Sequence, residues 1–290
     1  MRSTKVPSDT LAAELLLMHA LGRDRTWLYT NPEQPLDVAA TEKYFALIAR
    51  RSAGEPTQYL TGRQEFWGLE FEVTPAVLIP RPETEHVIEV ALERLGERGI
   101  KINMKTGAPS PTLHIADIGT GSGCIAVALA HELPHAKFLA TDLSGAALEV
   151  AKRNAGRHLV AERIEFLEAD LFEMVSHESR VSNHESRLFD LIASNPPYIA
   201  QTDAPALATE VRDYEPHAAL FGGPTGVEIY ARLIEQAGSR LRTGGILVLE
   251  LGHDSAGAVR KMFHEEHRWA NTGITNDLAG IPRVIAAERV

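Results

Sequence analysis

Six short apolar runs, at 113–118, 137–141, 164–168, 189–194, 246–251 and 283–288, alternate with stretches of helical spacing. Runs that are apolar throughout, rather than at every second position, belong to strands covered on both faces. Helices between successive strands impose a parallel order. The pattern therefore predicts an α/β fold, a parallel sheet between two helical layers. In such a sheet ligands lie over the carboxyl ends of the strands, near the point where the strand order reverses. The residues that follow each run are where binding chemistry is to be sought.

The run 113–118 passes into Gly119-Thr120-Gly121-Ser122-Gly123 and then a helix from Cys124 to His131. Glycines at a strand-to-helix turn let a ligand approach the backbone beside the unpaired N–H groups of a helix N-terminus. The spacing is G-x-G-x-G rather than G-x-G-x-x-G, which argues against a pyrophosphate cradle and for a smaller ligand end such as an amino-acid moiety. The run 137–141 ends at Asp142, where a carboxylate can accept both hydroxyls of a ribose. The run 189–194 ends at Asn195-Pro196-Pro197-Tyr198. Two prolines remove two N–H donors and hold φ at about −65°, so the segment neither continues a ladder nor begins a helix. It offers a rigid, acceptor-rich platform for a planar amino group. The Asn195 side-chain carbonyl and the Pro196 backbone carbonyl can each accept one N–H, while the Tyr198 ring covers the face. Read singly, these segments also fit plain roles, as a proline-stiffened loop or an αβ turn with a solvated Asp142. Read together, three strand ends should converge on one crevice.

A chain of 290 residues can hold two domains. Residues 1–62 read as a small helical domain. Leu11, Leu15, Met18 and Leu21 recur at helical spacing, and Tyr44, Leu47, Ile48 and Arg51 follow Asp37 in a second helix ending at Gly54. Within 63–80, Leu69, Phe71 and Val73 alternate with Glu70 and Glu72 beyond Gly68, the mark of a hairpin that links the two domains. Residues 81–290 form the larger domain. It opens at Pro82-Glu83-Thr84-Glu85, a proline and acids suited to a first helical turn, and a Gly/Pro-rich link at 101–112 precedes the first central run.

Acids outnumber bases 39 to 29, a net charge of −10, so the chain lacks the overall basic footprint of a duplex binder. No apolar stretch has spanning length and Met1 to Lys5 opens no signal peptide, which predicts a cytoplasmic protein with no membrane partner. The lone Cys124 excludes an intramolecular disulfide framework and a thiolate metal cage, and reads as core packing. His-Glu-Ser-Arg occurs twice in the polar stretch 174–188. His177, Glu178, His184 and Glu185 there read as a surface loop rather than a metal site, and no metal is expected.

The motifs Gly54-Glu55-Pro56, Leu60-Thr61-Gly62, Glu65-Phe66-Trp67-Gly68, Leu78-Ile79-Pro80-Arg81-Pro82-Glu83-Thr84-Glu85, Asp117 to Gly123, Ser194 to Ile199 and Val211-Arg212-Asp213-Tyr214-Glu215-Pro216 run over nearly the whole chain. Together they resemble class I S-adenosylmethionine-dependent methyltransferases, and within them the peptide chain release factor glutamine methyltransferases, the HemK/PrmC family. The resemblance implies a Rossmann-like class I methyltransferase sheet, preceded by a helical N-terminal domain and a hairpin linker. It implies S-adenosyl-L-methionine as cofactor: Gly119, Thr120, Gly121, Ser122 and Gly123 would line its methionine part, Asp142 would hold its ribose and Leu171 would border its adenine. Asn195, Pro196, Pro197 and Tyr198 would bind the substrate amide, with Asn195, Pro196 and Tyr198 catalytic and Asn195 also beside the cofactor. The implied partners are class I release factors, recognised by the N-terminal domain and methylated on the side-chain nitrogen (N5) of the glutamine in a Gly-Gly-Gln loop. The protein is expected to act as a monomer without direct nucleic-acid contact. A sister group modifying a ribosomal-protein glutamine shares most of these motifs, and Asn-Pro-Pro-Tyr also occurs in adenine-N6 and guanine-N2 methyltransferases. A cofactor-sensing protein without turnover is a further alternative, and the glycine spacing disfavours a nicotinamide dehydrogenase.

Overall fold

The computed structural model of the protein describes residues 8–99, 112–174 and 188–290. They fall into two compact units. One is helical, runs to Arg63 and also takes in Leu207–Tyr214; the other comprises Gln64–Ala206 and Glu215–Val290. The chain begins with α1 (Ser8–Leu21), α2 (Arg25–Thr30), α3 (Val38–Ser52) and α4 (Thr57–Thr61), followed by β1 (Arg63–Phe66), β2 (Leu69–Glu72) and α5 (Glu85–Glu97). It continues with β3 (His114–Ile118), α6 (Cys124–Glu132), β4 (Lys137–Asp142), α7 (Gly145–Arg157), β5 (Ile164–Asp170) and β6 (Glu173–Met174). Then come β7 (Phe189–Ser194), β8 (Ile199–Ala200), α8 (Thr209–Arg212), α9 (His217–Leu220) and β9 (Phe221–Gly223). The last elements are α10 (Glu228–Arg240), β10 (Leu241–Glu250), α11 (Ala256–Glu265), β11 (Trp269–Asn276) and β12 (Pro282–Arg289).

In the helical unit Asp37 caps α3 by accepting the Ala40 N–H at 2.7 Å, as an Asp one residue before a helix does. Leu16, Leu47 and Leu60 form the buried centre, from α1, α3 and α4. The return of 207–214 to this unit had no sequence signal. Tyr214 donates its hydroxyl to the Ala53 carbonyl at 3.1 Å, and Arg51 pairs with Glu210 at 2.9 Å.

In the larger unit the main sheet, among the described residues, runs β11-β12-β10-β7-β3-β4-β5-β6. The strands β10, β7, β3, β4 and β5 are parallel. Successive residues of each strand serve opposite faces: Ile115, Leu191 and Val248 join Val87, Ile88 and Val127 on one side, while Ala116, Ile192, Leu247 and Leu249 join Tyr230, Leu233 and Phe263 on the other. That double coverage explains why successive residues in these runs are apolar, not only every second one. From β3 the chain moves outward to β4 and β5, then crosses back to β7 on the other side of β3. The carboxyl ends of β3 and β7 therefore form the switch point.

The sheet is mixed, so the expectation of a parallel one is corrected at both edges: β6 pairs antiparallel with β5 on one side, and the other side reverses as well. β12 runs antiparallel to β10, and β11, which sequence reasoning missed, pairs antiparallel with β12. The cause is the connection at Asp277. Its Oδ1 accepts the N–H groups of Ala279 and Ile281 at 2.9 and 3.0 Å, closing a reverse turn far too short for a crossover helix. β10 also starts five positions ahead of the expected 246, at Leu241 opposite Phe189, with a register shift before Ile246.

Between β1 and β2, Trp67 and Gly68 form a two-residue loop with φ of 56° and 68°, the backbone a type I′ hairpin turn requires. A tryptophan in the left-handed region must be held there. Its N–H donates to Glu85 Oε1 at 2.7 Å and its indole N–H to Glu132 Oε1 at 2.9 Å. Asn154 of α7 ties β2 to the glycine loop: Oδ1 accepts the Glu72 N–H at 2.7 Å, while Nδ2 donates to Glu72 O at 3.0 Å and Ser122 O at 2.8 Å. The duplicated segment with His177, Glu178, His184 and Glu185, and most of the link at 101–112, lie outside the described residues. No helix among the described residues is long and apolar enough to cross a membrane.

Candidate active site

A cavity of about 250 Å³ opens over the carboxyl ends of the central strands, and Gly119, Gly121, Asp142, Leu171, Asn195 and Pro197 are among its walls. Residues from four strand ends therefore border one space, as the topology dictates. Thr120, Ser122, Gly123, Pro196 and Tyr198 are not among the residues that line it.

The glycines divide by what a side chain would meet. Gly119 and Gly121 have φ of +70° and +54°, and a Cβ on either would meet no atom within 4 Å. It would project into open space, so the backbone here is bare towards the cavity, as a ligand lying along the turn requires. Gly123 differs: its Cβ would lie 3.1 Å from the Ala151 Cβ, so this glycine lets α6 and α7 approach. Thr120 turns inward and donates its hydroxyl to Asp117 Oδ2 at 2.6 Å, while its N–H reaches Thr141 O at 2.8 Å. Asp117 is fully buried, and burial carries its carboxyl up to about 7 against the hydrogen bonds from Thr120 and Ala126. Its Oδ1 has no hydrogen-bond partner among the described residues.

Asp142 grips the turn. Oδ2 accepts the Gly121 N–H at 2.8 Å and Oδ1 the Ser144 N–H at 2.9 Å. Burial raises its pKa, opposed by the backbone N–H groups of Ser144, Gly121 and Leu143. Each carboxylate oxygen retains a second lone pair for a ligand hydroxyl. Leu171 sits at φ 58° and its carbonyl accepts the Thr141 hydroxyl at 2.9 Å, which holds this left-handed residue at the cavity wall. Bare glycines, a diol acceptor and an apolar wall fit a ligand with an amino-acid end, a ribose and a flat base. Among the described residues no group of three or more His, Cys, Asp or Glu side chains is placed to hold a metal ion.

Asn195 donates from Nδ2 to Thr84 Oγ1 at 3.0 Å, and Thr84 donates its hydroxyl to Glu250 Oε2 at 2.6 Å. The Asn195 carbonyl oxygen is left as the acceptor for an incoming N–H. Tyr198 does not line the cavity. Its hydroxyl reaches Glu250 Oε1 at 3.4 Å and its ring root packs on Gly252. Burial, first, and the Glu250 charge, second, raise the Tyr198 pKa well above the usual phenol range. Glu250 is 1 % exposed, and its carboxyl is pushed up to about 7 by burial. Gly222 and Gly226 leave room for the carbonyls of Pro197 and Tyr198.

Sequence reasoning assigned no role to Asp117, Glu250, Asn154 or Gly252, and quoted Thr84 only within a motif. Two of these had a legible signal. A carboxylate inside an otherwise apolar buried run is costly unless it is paired, and Asp117 and Glu250 both interrupt such runs.

Residues 1–62 match the family model described as PrmC N-terminal domain, and residues 102–211 match that described as Methyltransferase small domain. The chain is 42% identical over 289 residues to the release factor glutamine methyltransferase of Koribacter versatilis, covering 100% of this chain and 94% of that protein. It is 46% identical over 258 residues to the release factor glutamine methyltransferase of Chlorobaculum tepidum, covering 89% and 83%. Among solved structures it resembles the hMettl16 catalytic domain in complex with MAT2A 3'UTR hairpin 6, with a TM-score of 0.56 at 16% identity over 88% of this chain and 93% of that one. That likeness concerns the fold alone. The sequence matches extend over the helical unit, the glycine turn and the Asn195 platform alike, and on their strength the chain belongs to the release factor glutamine methyltransferase family.

Proposed function

We propose that this protein transfers a methyl group from S-adenosylmethionine to the side-chain N5 of the glutamine in the Gly-Gly-Gln motif of class I peptide chain release factors. The observation that carries the reading is the Asn195 carboxamide, anchored through Nδ2 at 3.0 Å to Thr84 at the edge of the cavity that Gly119, Gly121 and Asp142 border. When bound, the cofactor supplies an electrophilic methyl on a sulfonium. Gly119 and Gly121 would lie along its amino-acid end, Asp142 would accept its ribose hydroxyls and Leu171 would flank its base.

An amide nitrogen is a weak nucleophile because its lone pair is delocalised into the carbonyl. Asn195 Oδ1 and the Pro196 carbonyl each accept one of the two substrate N–H bonds, which raises electron density on nitrogen and fixes its direction. This is orientation and electrostatic assistance. The segment from Asn195 to Tyr198 carries no side-chain base, and none is needed: a nitrogen that has gained a carbon substituent on an amide is acidic enough to give its surplus proton to water. The helical unit is the part we assign to release-factor recognition, with the enzyme a cytoplasmic monomer.

The test incubates the protein with S-adenosylmethionine and a purified class I release factor, then maps added mass by peptide mass spectrometry. One methyl on the Gly-Gly-Gln glutamine is the expected result. Methyl found only on a ribosomal protein or on nucleic acid overturns the reading.

A further inference from the structure

We infer that Thr84 and Glu250 are positioning residues that dictate which end of the Asn195 carboxamide faces the substrate, an inference that rests on the amide-methylating reading above. A primary carboxamide has two ends of similar shape and opposite hydrogen-bonding character. Only the oxygen end can accept a substrate –NH2; the nitrogen end would set donor against donor.

The hydrogen count around Glu250 settles the orientation. Glu250 ends β10 in the buried interior, and once ionised, above about pH 7, its carboxylate offers acceptors only. The Thr84 hydroxyl has one proton, and at 2.6 Å from Glu250 Oε2 that proton is committed to the carboxylate. Thr84 Oγ1 then presents only lone pairs to its other neighbour, so that neighbour must be a donor. Asn195 Nδ2, 3.0 Å away, is that donor. A reversed Asn195 would press Oδ1 against those lone pairs and leave a buried acceptor unmet, a loss that a low-dielectric site magnifies. Tyr198 fills the second Glu250 oxygen at 3.4 Å, so the carboxylate has no competing demand on the Thr84 proton. Polarity thus passes from β10 through the turn before α5 to the end of β7, between residues 166 and 111 positions apart in sequence.

The experiment compares wild type with Thr84→Val, Thr84→Ser and the double variant Thr84→Val/Glu250→Leu. The double variant removes both polar partners at once and so avoids a lone buried charge. Two readouts are taken: kcat and KM on a release factor, and the side-chain NH2 resonances of Asn195 by 1H–15N NMR. Thr84→Val and the double variant should lower kcat roughly 10- to 100-fold, the scale of a misplaced reacting group, with KM for S-adenosylmethionine unchanged. Thr84→Ser should restore kcat. The Asn195 NH2 pair should shift and broaden in both valine variants and return in the serine variant. An unchanged pair or an unchanged kcat in folded valine variants overturns the inference. Wild type that methylates no release factor would sink the functional reading instead, and the NMR arm still decides the orientation.

Discussion

Holding an amide rather than deprotonating it places the whole demand on one side chain. Asn195→Ala should lower kcat by at least ~10²-fold, the loss seen when one donor or acceptor at a reacting group is removed. Cofactor affinity should stay within a factor of ~3, because Gly119, Gly121 and Asp142 are untouched. Paired turnover and calorimetric titration with S-adenosylhomocysteine check this; a parallel loss of both would assign Asn195 to cofactor binding instead. Gly252 tests the same platform from behind. A Cβ there would lie 2.6 Å from Tyr198 Cδ2, 2.8 Å from Cγ and 3.0 Å from Cβ, at the root of the side chain where no rotamer change relieves it. Gly252→Ala should therefore displace the segment from Pro197 to Tyr198, destabilise by about 1–3 kcal/mol as overpacking does, and cut kcat roughly tenfold. Full activity with an unchanged melting temperature would show that Tyr198 has no positioning role.

The helix α7 and the hairpin β1–β2 depend on each other through one asparagine. Asn154 is fully buried and satisfies three backbone groups, two of Glu72 and one of Ser122. Asn154→Ala strands those groups, so a destabilisation of about 2–4 kcal/mol is expected, with weaker cofactor affinity because Ser122 sits in the glycine loop. Hydrogen exchange should accelerate at the Glu72 amide and remain slow at Ala116 and Leu139 in β3 and β4; uniform acceleration would mean that the hairpin and the sheet open as one unit. Asn154 also marks where reading the sequence stops. The cores of β3, β4, β5 and β7 were legible because an apolar run between turn residues has one physical reading, and Gly119, Asp142 and Asn195 were legible because they follow such runs. The pairs Glu72–Asn154, Asn195–Thr84 and Thr84–Glu250 join residues 82, 111 and 166 positions apart, with no periodicity to betray them. β11 went unread because Trp269-Ala270-Asn271-Thr272-Gly273-Ile274 is a half-exposed edge with few apolar residues. β10 was cut short because Gly244 and Gly245 imitate a loop while the strand passes through them.

For the molecule as a whole, two carboxyls shared between core and site set how stability responds to pH. Asp117 in β3 and Glu250 in β10 are 0 % and 1 % exposed, and burial pushes both to about 7 from ordinary values of 3.8 and 4.5. Below the ordinary values both are protonated in the folded and unfolded chain alike. As pH rises from there the unfolded chain releases its protons and the folded chain retains them, so the stability they contribute is lost progressively until about 7 and is constant above it. At ~1.4 kcal/mol per pKa unit each carboxyl accounts for roughly 3–5 kcal/mol across that window. Carboxylates held low by arginines, such as Glu72 beside Arg153, act in the opposite sense but only as pH falls below their ordinary range. Comparing each isosteric amide with wild type removes every other group from the balance. Glu250→Gln keeps an acceptor for Thr84 and cannot ionise, so it should gain on wild type by a few kcal/mol on going from pH 5 to pH 8, and Asp117→Asn should behave alike. Urea midpoints at the two pH values measure this. A wild-type-minus-amide difference that stays flat from pH 5 to pH 8 would mean that these carboxyls ionise at ordinary pH despite their burial, and that water reaches the network behind Asn195.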